Sequence, residues 1–252
     1  MCQICHRGQE QNSVRDGGMR SIAMQRREFL GTTLAASIGL FARGASAAGS
    51  VAPGALPRRE RIGVAFLLGD GANVIDTAGP WEVFQDVMLH EHGHAHPFEL
   101  YTVAPTDKPL RMTGGLQVQP HYSIDKAPQP NVIVVPAHRA TNDSRAWLRE
   151  ASAGTDVTMS VCTGAFQLAR AGLLKGIPAT THHDFWEDFH QEFPDIELRR
   201  GLRFVDSGRI ATAGGLTSGI DMALHVVARY FGADVAAATA TYMEYTSDAW
   251  RA

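Results

Sequence analysis

Four continuous apolar runs lie along the second half of the first hundred residues and beyond: Ile62 to Leu68, Phe98 to Ala104, Val132 to Val135 and Val157 to Val161. None alternates strictly with polar residues, so each is expected as a strand covered on both faces, as in a parallel sheet. Segments of helical character separate them, at Trp81 to Leu89, Ser144 to Ser152 and Ala165 to Leu174. Shorter strands are expected at Ala179 to Thr181, Leu202 to Val205 and Ile210 to Ala213, and a closing helix at Thr217 to Phe231. Strand and helix alternate, which predicts a single α/β domain over 62–252, a doubly wound, mostly parallel sheet with helices on both faces.

Upstream the pattern changes. Arg26-Arg27 precedes an apolar stretch of about 14 residues and then Ala45-Ser46-Ala47, the layout of a twin-arginine export signal. Residues 1–47 are therefore expected to be an N-terminal extension and signal, and 48–61 a linker. The run is too short to cross about 30 Å of hydrocarbon, so no stable membrane anchor is expected and the protein is placed in the periplasm or outside the cell. Cleavage after Ala47 would leave about 205 residues, enough for one sizeable core. Cys2-Gln3-Ile4-Cys5-His6 has the spacing of a c-type haem attachment, but it lies ahead of the cleavage site and is set aside.

Composition narrows the function. With 23 Lys+Arg against 26 Asp+Glu and a net charge of −3, no basic excess favours nucleic acid, and a small molecule is the expected partner. Of three cysteines only Cys162 lies in the body of the chain, which excludes a disulfide framework. Ligands of open α/β sheets bind beyond the carboxyl ends of the strands, so the residues after each run are the candidates.

Met159-Ser160-Val161-Cys162-Thr163-Gly164 puts the thiol at a strand-to-helix turn. Such a turn lifts a nucleophile toward substrate, and the helix start is expected to favour thiolate and lower its pKa. Asp76 follows the first strand and precedes a helix expected to open at Pro80. Capping would suit Gly79 better, so fixing a loop and taking part in chemistry both remain open for Asp76. Glu82 suits the dipole of the first helical turn, and His182 and His183 follow a strand end where either a hydrogen-bonded role or a pocket role is possible. The run containing His92, His94 and His96 offers alternating imidazoles, yet a solvated helix end before Pro97 accounts for it, and no metal is assigned. Gly214-Gly215 ahead of the last helix suits either an anion cradle or close packing.

Asp76-Thr77-Ala78-Gly79-Pro80, Ser160-Val161-Cys162-Thr163-Gly164-Ala165, Ala171-Gly172-Leu173-Leu174-Lys175-Gly176, Ala179-Thr180-Thr181-His182 and Ala213-Gly214-Gly215-Leu216-Thr217-Ser218-Gly219-Ile220-Asp221 together resemble the ThiJ/PfpI superfamily. The resemblance runs from Ile62 to Tyr245 and implies a flavodoxin-like, class I glutamine-amidotransferase-like fold. Within the superfamily it is nearest to the isonitrile hydratase branch and to the sensor domains of AraC-type regulators. It implies Cys162 as nucleophile, Asp76 as its acidic partner, Thr163, His182 and Gly79 around the pocket, a homodimer and no cofactor. Where the family has Pro-Gly-Gly this chain has Pro136-Ala137-His138, so the backbone N–H groups of Ala137 and His138 are expected to stabilise negative charge beside a narrower pocket. The activity implied is hydration of an isonitrile to an N-substituted formamide. The alternatives are a glyoxalase-like hydro-lyase and a non-catalytic module that binds a ligand or senses oxidation at Cys162. A regulator would need a DNA-binding helix-turn-helix after the core, and the chain stops at Ala252, so nucleic acid is not expected.

Overall fold

The structure, a computed structural model, describes residues 55–89 and 96–252. Strand β1 (Ile62–Leu67) sends Ile62, Val64 and Phe66 into one apolar layer and Ala65 and Leu67 into another, which is why its sequence has no polar side. The same two-sided burial holds for β6 (Val132–Val135) and β7 (Val157–Ser160). These strands pair in parallel with β2 (Phe98–Ala104) and β9 (Ile210–Ala213) in a seven-stranded sheet ordered β5-β2-β1-β6-β7-β9-β8. Two short strands close its edges: β5 (Tyr122–Ser123), parallel to β2, and β8 (Phe204–Asp206), antiparallel to β9. A separate two-stranded ribbon of β3 (Leu110–Arg111) and β4 (Gln117–Val118) follows β2.

Helices α1 (Val74–Gln85), α5 (Ser218–Phe231) and α6 (Ala233–Tyr242) contribute to one apolar layer, with Trp250 only 2% exposed among them. On the other face lie α2 (Asn142–Ser152), α3 (Gly164–Arg170) and α4 (Trp186–Glu192). The chain turns one way from β1 to β2 and the other way to β6, so the switch point falls between the ends of β1 and β6. The fold is thus the single α/β domain with a mostly parallel sheet that the apolar runs predict. No helix among the described residues is long and apolar enough to cross a membrane. The twin arginine and the histidines His92 and His94 lie outside the described residues. His96 is described, and its Nδ1 lies 3.1 Å from the Gln85 carbonyl. The chain from Ala55 onward is docked: the Leu56 N–H donates to the Arg229 carbonyl, and Arg59 forms a two-pronged ion pair with Asp156.

Several elements differ from expectation: α4, β5 and the β3–β4 ribbon are not among those the sequence announces, and α3 ends at Arg170, short of Leu174. Helix α1 begins at Val74, not Pro80, because Asn73 caps it, accepting from the N–H groups of Ile75 and Asp76. Pro80 therefore lies inside the helix and leaves the Asp76 carbonyl without its usual donor. The segment Ala179 to Thr181 is not a strand; it makes a single bridge from Ala179 to Leu198. The strand expected at Leu202 to Val205 starts two residues later, at Phe204. Helix α5 does not close the fold, since α6 follows after Gly232, whose φ of 91° makes the break.

Glycine sets one contact that the site depends on. A Cβ on Gly164 would stand 2.0 Å from the Val135 carbonyl oxygen, a backbone atom that cannot move aside, so α3 abuts β6 only because residue 164 has no side chain. Gly164→Ala is expected to lower stability by about 3 kcal/mol, read as the urea midpoint, whereas Gly154→Ala meets only the flexible Gln129 amide and should lose less than about 1 kcal/mol. Equal midpoints for the two variants would contradict this account of the turn.

Candidate active site

The turn after β7 holds Cys162 in a left-handed backbone conformation, φ 58°, a strain of about 1–3 kcal/mol that a non-glycine residue keeps only when its surroundings fix it. Those surroundings are visible. The Cys162 N–H donates to the Gly214 carbonyl at 2.8 Å, and the Cys162 carbonyl accepts from the Thr181 hydroxyl at 2.9 Å. The thiol, on a residue 7% exposed, faces the N–H and hydroxyl of Thr163 and the N–H of Leu216. Leu216 is itself in the left-handed region, φ 53°. Two strained residues from different loops thus meet across the sulfur.

Asp76 comes from the first turn of α1 and is fully buried. Its Oδ2 accepts from the Ala137 N–H at 3.1 Å, across the switch point between β1 and β6. Its Oδ1 has no partner in full hydrogen-bonding geometry, although the Leu216 N–H and the Cys162 thiol lean on the carboxyl and help its charged form. Burial outweighs these donors and pushes the Asp76 carboxyl up to about 6. The Cys162 thiol is pushed up to about 11, first by burial and then by the charge of Asp76, against the pull of Thr163 and Leu216. This reverses the expected lowering of the thiol. Helix α3 has only seven residues, and its dipole does not offset desolvation plus a neighbouring carboxylate. At neutral pH the pair therefore holds one proton, on sulfur, with Asp76 as the adjacent base.

The other candidates divide. Thr163 is at the thiol, as expected. Ala137 is present, but its N–H is committed to Asp76, the strongest acceptor in reach, and is not free to meet charge on a substrate. His138 is turned back: its Nδ1 lies 2.8 Å from the Pro136 carbonyl, which fixes that nitrogen as the donor, and its ring lies against Gly69. Burial lowers its pKa, so the ring is neutral and Nε2 is an unpartnered acceptor. Gly79 has a packing role in α1. A Cβ there would meet Ile220 at 2.9 Å, so Gly79 allows α1 to pack on α5. Glu82 is exposed on α1. His182 caps the short turn His183–Phe185 through Nδ1, and its ring lies on Gly215, where a Cβ would stand 2.1 Å from Cδ2. Gly215 thus serves the close packing of this loop on His182.

Among the described residues one group, His182, His183 and Asp184, has possible metal donors within 4.8 Å of one another. The His182 Nδ1 lone pair already accepts the Asp184 N–H, and His183 and Asp184 face solvent, so these residues do not make a prepared metal centre. Sequence reasoning did not single out Leu216 or Thr181. The repeated Gly214-Gly215 marked the loop, but a leucine at positive φ carries no signal of its own.

A profile of the DJ-1/PfpI family matches residues 63–229. The isonitrile hydratase of Pseudomonas putida is 30% identical over 192 residues, covering 72% of this chain and 78% of that protein. The HTH-type transcriptional regulator GbdR of Pseudomonas aeruginosa is 28% identical over 200 residues, and the match spans 77% of this chain but about half, 54%, of the regulator. Among solved structures, a ThiJ/PfpI family protein from Pseudomonas syringae superposes with a TM-score of 0.66 at 26% identity, covering 77% of this chain and 78% of that one. DJ-1 of Schizosaccharomyces pombe, at 15% identity and TM-score 0.60 over 74% of this chain and all of that one, shares the fold. The strand-turn cysteine, the buried carboxyl beside it and the profile match over two thirds of the sequence agree: this chain belongs to the DJ-1/PfpI family.

Proposed function

We propose that this protein hydrates a small isonitrile to the N-substituted formamide through a covalent intermediate on Cys162. The observation that carries the reading is the buried Asp76 carboxyl set beside the Cys162 thiol at the turn after β7, with Thr163 and Leu216 donating toward sulfur. Asp76 takes the thiol proton as sulfur bonds to the terminal isonitrile carbon, and returns that proton to the same carbon, giving a thioimidate. Water then adds to that carbon with one of its protons passing to the nitrogen, and the carbon–sulfur bond breaks as the new hydroxyl becomes the formamide carbonyl and gives its proton to sulfur, returning the thiol. The sum is one water per isonitrile, with no oxidant, reductant or cofactor. Similarity to the isonitrile hydratase of Pseudomonas putida supports the same reading.

A second reading, a ligand-binding or oxidation-sensing module, is favoured by the likeness to GbdR; a thiol pushed up by burial fits the ligand-binding form of it better than the oxidation-sensing form, which runs through the thiolate. A panel of aliphatic and aryl isonitriles and α-oxoaldehydes separates the two. Formamide appearing from isonitriles supports the hydratase; lactate-type products from the aldehydes alone would make it glyoxalase-like; calorimetric binding without turnover of any compound would overturn catalysis in favour of the module. Export and self-association belong to the same proposal, resting on Arg26-Arg27 and on family resemblance. Fractionation of cells with and without the twin-arginine translocase and light scattering of the purified chain test them: cytoplasmic retention in both strains, or a monomer mass, would remove the respective part.

A further inference from the structure

We propose that Arg203, held by Asp221 and gripping Thr217, is a positioning residue that fixes the Gly214–Thr217 loop so that the Leu216 N–H faces Cys162 and Asp76. This rests on the reading of Cys162 and Asp76 as the reacting pair. The loop joins β9 to α5 and starts with two glycines, which offer little resistance to movement. It nevertheless carries a leucine at φ 53° and the carbonyl that receives the Cys162 N–H. Something outside the loop must hold it.

Arg203 does so at both ends. Its backbone carbonyl accepts the Gly214 N–H at 2.9 Å, and its Nη2 donates to the Thr217 hydroxyl at 3.2 Å. Thr217 is the N-cap of α5, yet its side chain makes no capping bond to that helix. The hydroxyl that would ordinarily serve the helix end is turned to the guanidinium instead. Asp221, fully buried in the first turn of α5, aims the guanidinium. It accepts from Arg203 Nε at 2.7 Å and from Nη2, and its other oxygen accepts from the Ser247 hydroxyl at 2.9 Å. Arg203 Nη2 also reaches the Tyr245 hydroxyl at 3.3 Å, away from the loop. A planar fork with several donors can hold a carboxylate and a hydroxyl together, which lysine cannot.

The test is the carboxyl titration of Asp76 in the full chain, followed by NMR of aspartate labelled with 13C, together with isonitrile kinetics. Thr217→Val exchanges the hydroxyl for a methyl and leaves the pair of Arg203 with the buried Asp221 intact, so it should fold even if Asp221→Asn does not. Loosening the loop withdraws the Leu216 donor, which favours the charged carboxylate, so the Asp76 midpoint should rise by about half a unit. Turnover, kcat, should fall about tenfold with KM within about twofold, because the lost contact acts on the reacting pair and not on substrate binding. Arg203→Lys should show the same shift, and Tyr245→Phe should keep the wild-type midpoint. An unmoved midpoint in folded Thr217→Val, or an equal shift in Tyr245→Phe, overturns the proposal even if the wild type hydrates isonitriles. A moved midpoint in a protein with no turnover sustains the clamp and sinks the hydratase reading.

Discussion

Replacing Cys162 by serine will reduce isonitrile turnover at least about a thousandfold while leaving the fold intact. The size follows from chemistry. The proposed route forms a carbon–sulfur bond, and without sulfur the covalent intermediate does not exist; a hydroxyl is a far weaker nucleophile than the thiol, even with Asp76 as base. The fold should persist because serine is nearly the same volume, and the left-handed backbone at 162 is held by the Gly214 carbonyl and the Thr181 hydroxyl, neither of which touches the side chain. Circular dichroism and the urea midpoint of Cys162→Ser should therefore stay near wild type. Intact-mass analysis of the wild type quenched during turnover should show the mass of one substrate added, and peptide mapping should put it on Cys162 and not on Cys2 or Cys5. A serine variant that keeps turnover within tenfold of wild type would refute the covalent route.

Much of this arrangement is legible in the sequence, and the illegible part has physical causes. Ile62 to Leu68 and Val132 to Val135 announce buried parallel strands because both of their faces are apolar. Cys162-Thr163-Gly164 announces a sharp turn, and Gly164 is needed there because the Val135 carbonyl occupies the place of a Cβ. The start of α1 is obscured because Gly79-Pro80 looks like a break, while the true signal, the Asn73 cap, precedes two β-branched residues that are indifferent helix formers. Helix α6 is mostly alanine and threonine, so no apolar stripe marks it. The direction of the thiol shift was inverted for another reason. A helix start is a local feature that sequence shows, but the burial of Asp76 beside Cys162 joins residues far apart in the chain, and that contact decides the sign. The commitment of the Ala137 N–H to Asp76 escapes sequence in the same way.

Asp76→Asn should have opposite effects on activity and on stability, and both should depend on pH. For activity, the route needs the carboxylate to take the thiol proton, so kcat/KM of the wild type should rise as pH climbs through about 6 and level off beyond it. The asparagine variant has no proton to accept or return and should lose at least about a hundredfold, with no such limb. Spontaneous hydrolysis of isonitriles in acid must be subtracted from both. For stability, the folded carboxyl titrates at about 6 against an ordinary 3.8, so its raised pKa favours the fold fully below 3.8, and that contribution is lost as pH rises through 6. Above that the native state carries a buried charge that Ala137, Leu216 and Cys162 compensate only in part, a difference of about 3 kcal/mol. An asparagine keeps an oxygen for the Ala137 N–H and carries no charge at any pH. The stability gap between Asp76→Asn and wild type, measured by urea unfolding, should therefore move in the variant's favour by about 2.5 kcal/mol between pH 4 and pH 8. A gap that stays constant over this range would mean that Asp76 is ionised as easily in the fold as in water, and its place as the proton carrier beside Cys162 would be lost with it.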